Sequence, residues 1–270
     1  LQSGAALSLV GDSLDNTAGR ITSLNGDGLT VTVTGALTNT IGTTATGSQG
    51  GVIGGNGAVT LMAGSVVNQG RVSGQTDLQV GTGSLDNSDG TLQAAGNTTI
   101  DAGTQLTNHR GNIVAGQAAT VSAATLDNSA GTLQATQLSL GATNLVNHAG
   151  TITQTGTGSM RVAVLGLLDN SAGGTLQTNS VDLTLAPSML DNHGGTITHA
   201  GAGALTVNAG NGTGTISNAG GKITSNGQVV ARARSLDNAA GLIMGQTGLT
   251  ATLGGAVDNA NGKLLSNTDL

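Results

Sequence analysis

Residues 126–135 read LDNSAGTLQA, and variants of this ten-residue phrase recur along the whole chain. LDNSDGTLQA begins at Leu85 and LDNSAGGTLQT begins at Leu168, while nine looser copies bring the total to twelve. Self-similarity at a nearly fixed period is the sequence signature of a repeat architecture. The chain therefore aligns on the asparagine of the phrase, which is called the marker asparagine below.

The marker asparagines are spaced 19–29 residues apart, about 22 on average, which is within the range of solenoid repeats. An aliphatic residue stands two positions before each marker, and a second aliphatic column lies two positions after the glycine that follows it. A third segment alternates, as in Leu138-Ser139-Leu140, and a period of two predicts a strand with one buried face. The twelve markers are Asn16, Asn39, Asn68, Asn87, Asn108, Asn128, Asn147, Asn170, Asn192, Asn218, Asn238 and Asn259.

Each repeat therefore supplies about three short strands separated by turns. The first turn carries the marker asparagine and, typically three residues later, a glycine, and both residue types tolerate left-handed backbone angles. A helix is disfavoured because Gly and Thr are poor helix formers and the apolar spacing is not 3.6. Similar repeats stack their strands in parallel. The sequence predicts an all-β parallel β-helix, a solenoid of about twelve coils of roughly 22 residues in a single array over residues 1–270.

Two long repeats predict loops that are extruded from the stack. The first excess, near residues 41–50, falls between Asn39 and Asn68, and the second, near residues 208–214, falls between Asn192 and Asn218. Both loops are candidate contact sites. The simpler interpretation is a tolerated insertion without a role.

The composition argues against several classes of function. The net charge is −6 and the eight basic residues are scattered apart from Arg232 and Arg234, whereas a nucleic-acid groove needs clustered Lys and Arg. The sequence has no aromatic residue to stack on bases and no cysteine for a disulfide or a thiolate metal site. It also has no run of about eighteen apolar residues. We expect no nucleic-acid partner, no membrane span and no cofactor.

The aspartate that precedes many markers is the first candidate for chemistry. Asp169 and Asp191 fall in neighbouring coils, as do Asp237 and Asp258, with Cα atoms expected ~4.8 Å apart, so that paired carboxylates could bind a cation or act as acid and base. This arrangement is the basis of the alternative function, a polysaccharide-binding or polysaccharide-cleaving β-helix. The simpler interpretation is a turn residue that accepts hydrogen bonds from nearby backbone N–H groups, which the lack of aromatic rings and the scarcity of arginine favour.

The histidines predict no metal site. His109, His148 and His193 each follow a marker but occupy alternate coils, ~9.6 Å apart, which is too far to share one zinc ion. His199 is on a different face, and all four are expected to be polar turn residues. The sequence contains no nucleophile elbow and no phosphate-binding loop of the Walker type. We therefore predict no catalytic, cofactor-binding or metal-binding residue, and no enzyme activity.

The column of marker asparagines is the one polar feature with a predicted role. Stacked asparagine side chains can bond one another along an axis, as they do in cross-β assemblies. Such a ladder would fix the register of coils whose core is otherwise uniform and liable to slip. We therefore predict a structural ladder through all twelve markers.

The phrases LDNSDGTLQA, LDNSAGTLQA, LDNSAGGTLQT and LDNAAGLIMG resemble the repeats of filamentous haemagglutinins. That family includes large surface proteins that Gram-negative bacteria secrete by the two-partner route, among them contact-dependent growth inhibition effectors. The resemblance covers essentially the whole chain and rests on the Leu-Asp-Asn-x-x-Gly-x-Leu core.

The resemblance implies a right-handed β-helix that forms the shaft of a secreted, cell-surface exoprotein and projects distal binding or effector domains. It also implies an outer-membrane transporter as a partner during export, and a target-cell receptor or glycan bound through other regions. The family's Asn-Pro-Asn secretion signature is absent, since Pro187 is the only proline, and so is its Val-Glu-Asn-Asn toxin boundary. We expect a piece of a longer adhesin or toxin-delivery protein.

Overall fold

A computed structural model describes residues 1–268 of the chain. The chain forms two compact units, Leu1–Asp127 and Asn128–Leu270. In each unit the strands of successive coils pair in parallel, and the described residues contain one short 3-10 helix. The predicted all-β parallel solenoid is confirmed. A single array over residues 1–270 stays a prediction.

Two sheets line the first unit. Sheet A holds the strand that follows each marker turn, and sheet B holds the segment between that strand and the next marker. Sheet A consists of Gln2–Ser3, Arg20–Ser23, Val52–Gly55, Arg71–Gly74, Thr91–Ala94 and Asn112–Ala115. Sheet B consists of Leu7–Gly11, Leu14–Asp15, Leu29–Val33, Ala36–Asn39, Val59–Asn68, Leu78–Asp86, Thr98–Asp101, Gln105–Thr107 and Ala118–Asp127.

The second unit repeats this layout, with its own strands in the two sheets. Sheet A consists of Thr132–Ala135, Thr151–Gln154, Thr175–Thr178, Thr196–His199, Lys222–Ser225, Leu242–Gly245 and Lys263–Ser266. Sheet B consists of Gln137–Val146, Arg161–Val164, Leu167–Asp169, Leu183–Leu185, Met189–Asp191, Ala204–Asn208, Thr215–Ser217, Gln228–Ala233, Ser235–Asp237, Gly248–Leu253 and Val257–Asp258.

The two aliphatic columns predicted from the sequence lie in the interior of the coils. In the column two positions before the markers, ten of the twelve side chains are buried, because a parallel stack hides each one between its neighbours above and below. The exceptions are Leu14, which is half-buried, and Val257, which is exposed. Burial of one such side chain stabilises the fold by about 1.5–3 kcal/mol, so these columns supply the hydrophobic core that aromatic side chains supply elsewhere.

Sheet B departs from the expectation of three separate short strands in four coils. There the second and third strands merge into one strand of nine or ten residues, as in Leu78–Asp86. The alternation of buried side chains changes phase inside this strand, since Leu78 and Val80 are buried and the next buried side chain is Leu85. The chain therefore turns the corner of the coil without leaving the sheet.

The two insertions form local structure of their own. Ile41–Thr44 pairs antiparallel with Gly47–Gly50 and forms a short hairpin outside the parallel sheets. Residues Ala209–Gly212 form the 3-10 turn, with Gly210 and Asn211 in the left-handed region. Neither segment interrupts the parallel pairing of the coils on either side of it. Whether either loop binds a partner stays a prediction.

Candidate functional site

The marker asparagines form a column of hydrogen bonds along the coils of each unit. In the first unit Nδ2 of each marker donates to Oδ1 of the next, from Asn16 to Asn108, with donor–acceptor distances of 2.6–2.7 Å. In the second unit the same bond runs from Asn128 to Asn259 at 2.7–2.8 Å. Apart from Asn16 and Asn259 at the two ends, all of these side chains are completely or almost completely buried.

Most of the asparagine amides also bind the backbone of their own turn. Nδ2 of Asn147 donates to the carbonyl oxygen of Gly150 at 3.1 Å and to that of Thr175, in the next coil, at 3.1 Å. Its Oδ1 accepts the hydrogen bond from Asn128 at 2.7 Å. A buried amide without partners costs about 1–3 kcal/mol, and here the donors and the acceptor of the side chain are all engaged.

The left-handed residue of the marker turn is not the residue that the sequence suggested. The backbone angle φ is positive at the second residue after ten of the twelve markers, most often an alanine, as at Ala130 (54°), Ala149 (51°) and Ala240 (55°). Among the described residues no marker asparagine has a positive φ, and of the glycines three residues after a marker only Gly173 (86°) does. The two residue types that tolerate left-handed angles best are therefore mostly not the residues that adopt them in this turn.

The glycine is required because two backbones approach each other closely at that position. A Cβ atom on Gly150 would collide with the carbonyl oxygen of Asn128, and one on Gly241 would collide with that of Asn218. The side-chain amide oxygen of each turn's own asparagine also lies against the same position. The glycine therefore makes room for the asparagine column.

The aspartates before the markers act mainly as turn residues. Oδ1 of Asp86 accepts a hydrogen bond from the backbone N–H of Ser88 at 2.9 Å. The same bond to the residue two positions on recurs, at 2.8–3.1 Å, for Asp15, Asp169, Asp191, Asp237 and Asp258. Asp169 and Asp191 do lie in register in neighbouring strands, as do Asp237 and Asp258. One oxygen of each carboxylate is thus already committed to its own backbone.

Asp169 and His148 form a hydrogen-bonded pair between neighbouring coils. Nε2 of His148 donates to Oδ2 of Asp169 at 2.7 Å. Burial of Asp169 opposes its ionisation, but hydrogen bonds from Ser171 and from His148 outweigh that effect, so the pKa of Asp169 lies below its ordinary value. In the first unit a corresponding contact joins Arg110 to Asp89 through two hydrogen bonds of 2.7 and 2.8 Å.

The interior position of His199 corrects the expectation that every histidine is a polar turn residue. This side chain is completely buried at the end of a sheet A strand. Its Nε2 donates to the carbonyl oxygen of Ser180 at 2.9 Å, and Nδ1 accepts from the hydroxyl of Ser225 at 2.8 Å. Gln154 occupies the equivalent place two coils away and is also buried. The signal was present in the sequence, because His199 follows the core residue Ile197 by two positions.

No cluster that could hold a metal is formed by the residues that the structure describes. Within residues 1–268, no three histidine and aspartate side chains come close enough together to bind one ion. His193 lies 3.3 Å from Asp191 of its own turn, at an exposed position. Over the same residues, no helix has the length and apolar character needed to cross a membrane.

Comparison with known proteins places these features in a family. The family model for the haemagglutinin repeat matches residues 93–202 and 200–261. The chain is also 49% identical over 242 residues to the tRNA nuclease CdiA-2 of Burkholderia pseudomallei strain 1026b, a match that covers 90% of this chain and 8% of that protein. No solved structure matches the chain. The chain belongs to the haemagglutinin repeat family.

Proposed function

We propose that this chain is a shaft segment of a secreted bacterial surface exoprotein, either an adhesin or a contact-dependent toxin-delivery protein. Haemagglutinin-repeat proteins related to CdiA are secreted and exposed on the cell surface. The observation that carries the proposal is the use of the polar turn residues, since the marker asparagines bond the next coil and the aspartates cap their own turns. In this segment the polar side chains of the marker turns therefore hold the stacked coils together.

The effector of such a protein would lie outside these 270 residues. The relative is named as a tRNA nuclease, and this chain spans only 8% of its length. Nuclease chemistry needs a site that binds nucleic acid, whereas this segment carries a net charge of −6 and has no aromatic residue. The proposed role here is therefore structural: to hold distal binding or effector domains away from the bacterial surface.

Two partners follow from the proposal. The outer-membrane transporter of a two-partner secretion system would carry the chain during export, and a target-cell receptor or glycan would be bound through other regions of the protein. The absence of cysteine is compatible with export as an unfolded chain, because no disulfide can form before export is complete.

The shaft role is tested in the full-length parent protein by removing whole or partial coils. Deletion of residues 87–107 removes one complete period and joins Asp86 to Asn108, whereas deletion of residues 87–96 removes only a marker turn and a sheet A strand. We expect the first variant to be displayed on the surface and to act on target cells like the parent. The second should lose both properties. Equal loss by both variants would contradict a role as a spacer.

The competing enzymatic role is tested by turnover on a panel of polysaccharides, with and without Ca²⁺. We expect no turnover. Robust cleavage that is lost in Asp169→Asn, with the folded state retained, would overturn the structural role and favour a polysaccharide-cleaving β-helix.

A further inference from the structure

A groove on the outer face of sheet A in the first unit contains most of that unit's free positive charge. The unit has three basic residues, and Arg110 is engaged by Asp89. The other two, Arg20 and Arg71, line one groove of about 290 Å³. Neither guanidinium has a hydrogen bond or an ion pair with any residue of the described part of the chain. No carboxylate lines the groove.

The register of three neighbouring strands fixes the shape of this groove. Arg20, Val52 and Arg71 are aligned across the strands, and so are Thr22, Gly54 and Ser73. Arg20 and Arg71 are therefore two strand spacings apart, ~9.6 Å between Cα atoms. Gly54 has no side chain, and a Cβ atom there would lie 2.9 Å from the hydroxyl oxygen of Ser73. Gly54 therefore leaves a depression on the surface of the sheet. The hydrogen-bond donors at its four corners are Arg20, Arg71, Thr22 and Ser73.

Thr22 supplies a second, independent observation about this depression. Its neighbour Ile21 points into the core, so alternation directs Thr22 to the outer face. The residue is nevertheless only 7% exposed, and its hydroxyl oxygen is buried without a hydrogen-bond partner. Buried hydroxyl groups are ordinarily hydrogen-bonded. Thr22 lines the groove, so a bound acceptor would satisfy it.

We infer that this groove binds a tetrahedral oxyanion, of the kind carried by a phosphate or sulfate ester on a sugar. The planar guanidinium of arginine matches the oxygens of such a group with paired hydrogen bonds. A tetrahedral group offers three or four acceptor oxygens to donors at four corners, whereas a carboxylate offers two. The groove lies at the small end of ligand sites, which suits one charged group and its attached sugar ring.

The proposal is tested on the complete chain by titration with inorganic phosphate, inorganic sulfate and acetate, monitored by NMR. Phosphate and sulfate should shift the signals of Thr22 and Ser73 at millimolar concentration, and acetate should not. Arg20→Gln and Arg71→Gln should each weaken binding by at least about tenfold, because each removes a charged donor. Arg110→Gln, which removes an arginine outside the groove, should bind like the wild type.

Thr22→Val separates binding from folding. It replaces an unpartnered hydroxyl with a methyl group of the same shape, so the melting temperature should stay the same or rise. Binding of phosphate and sulfate should still weaken several-fold. Titration with glucose 6-phosphate and glucose 6-sulfate then shows which ester is preferred. The inference is wrong if Arg110→Gln weakens binding as much as Arg71→Gln, if acetate binds as well as sulfate, or if no signal of the groove moves.

Discussion

The side-chain amide of Asn147 donates a hydrogen bond of 2.7 Å to Oδ1 of Asn170, one coil further along the second unit. Asn170 in turn donates to Asn192 at 2.8 Å. Each asparagine can bond the next only when the coils are in one register, because a shift by one residue would turn the side chain to the other face. We propose that this column sets the register of coils whose aliphatic cores are nearly interchangeable.

Asn147→Ala should lower the free energy of unfolding by about 2–3 kcal/mol, because it leaves the buried partners on both sides without their hydrogen bonds. Asn226→Ala is the matched control, since Asn226 is exposed and its side chain donates to a single backbone carbonyl, that of Ala200. It should change stability by less than about 0.5 kcal/mol. Chemical denaturation of both variants measures the two changes in the free energy of unfolding. Equal changes would contradict a stabilising role for the asparagine column.

Gly150→Ala should be severely destabilising, because its Cβ atom would collide with the carbonyl oxygen of Asn128. Ala149→Gly, one residue away, should be neutral or stabilising, since Ala149 has a left-handed φ of 51° that glycine adopts without strain. Gly141→Ala is the control for an added methyl group in open space. Thermal melts should show a large loss of stability for Gly150→Ala and little or no loss for the other two variants. A stable Gly150→Ala protein would refute the close-approach explanation of the turn glycine.

Val80→Asp and Gln79→Asp place the same carboxylate at adjacent positions of one strand. Val80 is 1% exposed and Gln79 is on the outer face. The first change should cost more than about 4 kcal/mol, because an unpaired charge enters an aliphatic column. The second should cost less than about 0.5 kcal/mol. Similar costs, measured by denaturant unfolding, would mean that the inward and outward faces are wrongly assigned.

The stabilising effect of Asp169 should depend on pH. Its pKa in the folded chain is lowered, so the ionised carboxylate stabilises the fold above the unfolded value of about 3.9. That contribution is lost as the pH falls below this value towards the folded pKa. Asp169→Asn should therefore melt below the wild type at pH 7, and the gap should narrow at about pH 3. Ser171→Ala, which removes a hydroxyl donor to Asp169, should show a smaller pH dependence of the same sign. A gap that is constant with pH would contradict the assigned hydrogen bonds.

The sequence predicts the stack well because its period is visible in the apolar residues. Aliphatic residues such as Leu85 and Leu92 recur at nearly fixed distances from the marker of each coil. Within the strands, a period of two separates inward-facing from outward-facing side chains. The turn is harder to predict, since propensity assigns the left-handed angle to Gly150 whereas the structure assigns it to Ala149. Glycine is needed at position 150 because the backbone of the neighbouring coil lies too close for a Cβ atom. That close approach depends on how the coils pack, which the local sequence does not reveal.

Other features depend on which coils become neighbours. The polarity of histidine predicts a turn position for His199, whereas the structure places this side chain in the interior. The groove on the outer face of sheet A is lined by both Arg20 and Arg71. The long repeat that contains the hairpin at residues 41–50 separates these two arginines in the sequence. Their separation in the sequence gives no hint that both side chains lie beside Gly54. Only the strand register brings them together.

The most direct test of the stacked-coil account compares two deletions in the isolated chain by circular dichroism and thermal melting. Removing residues 87–107 places Val80 above Val121 and Leu85 above Leu126, since each pair shares one intermediate partner in the present register. Stability in such a stack is a sum of repeat and interface terms. The chain should therefore stay folded, with a cooperative melt close to that of the wild type.

Removing only residues 87–96 takes out the marker turn and the strand Thr91–Ala94 but leaves the rest of the coil. The sheet A strands on either side, Arg71–Gly74 and Asn112–Ala115, then lose their common partner. Each buried backbone group left unpaired costs about 1–3 kcal/mol. We expect a folded whole-period variant and a strongly destabilised half-period variant. If the whole-period deletion unfolds the chain as thoroughly as the half-period deletion, the coils are not independent stacked units and the account is wrong.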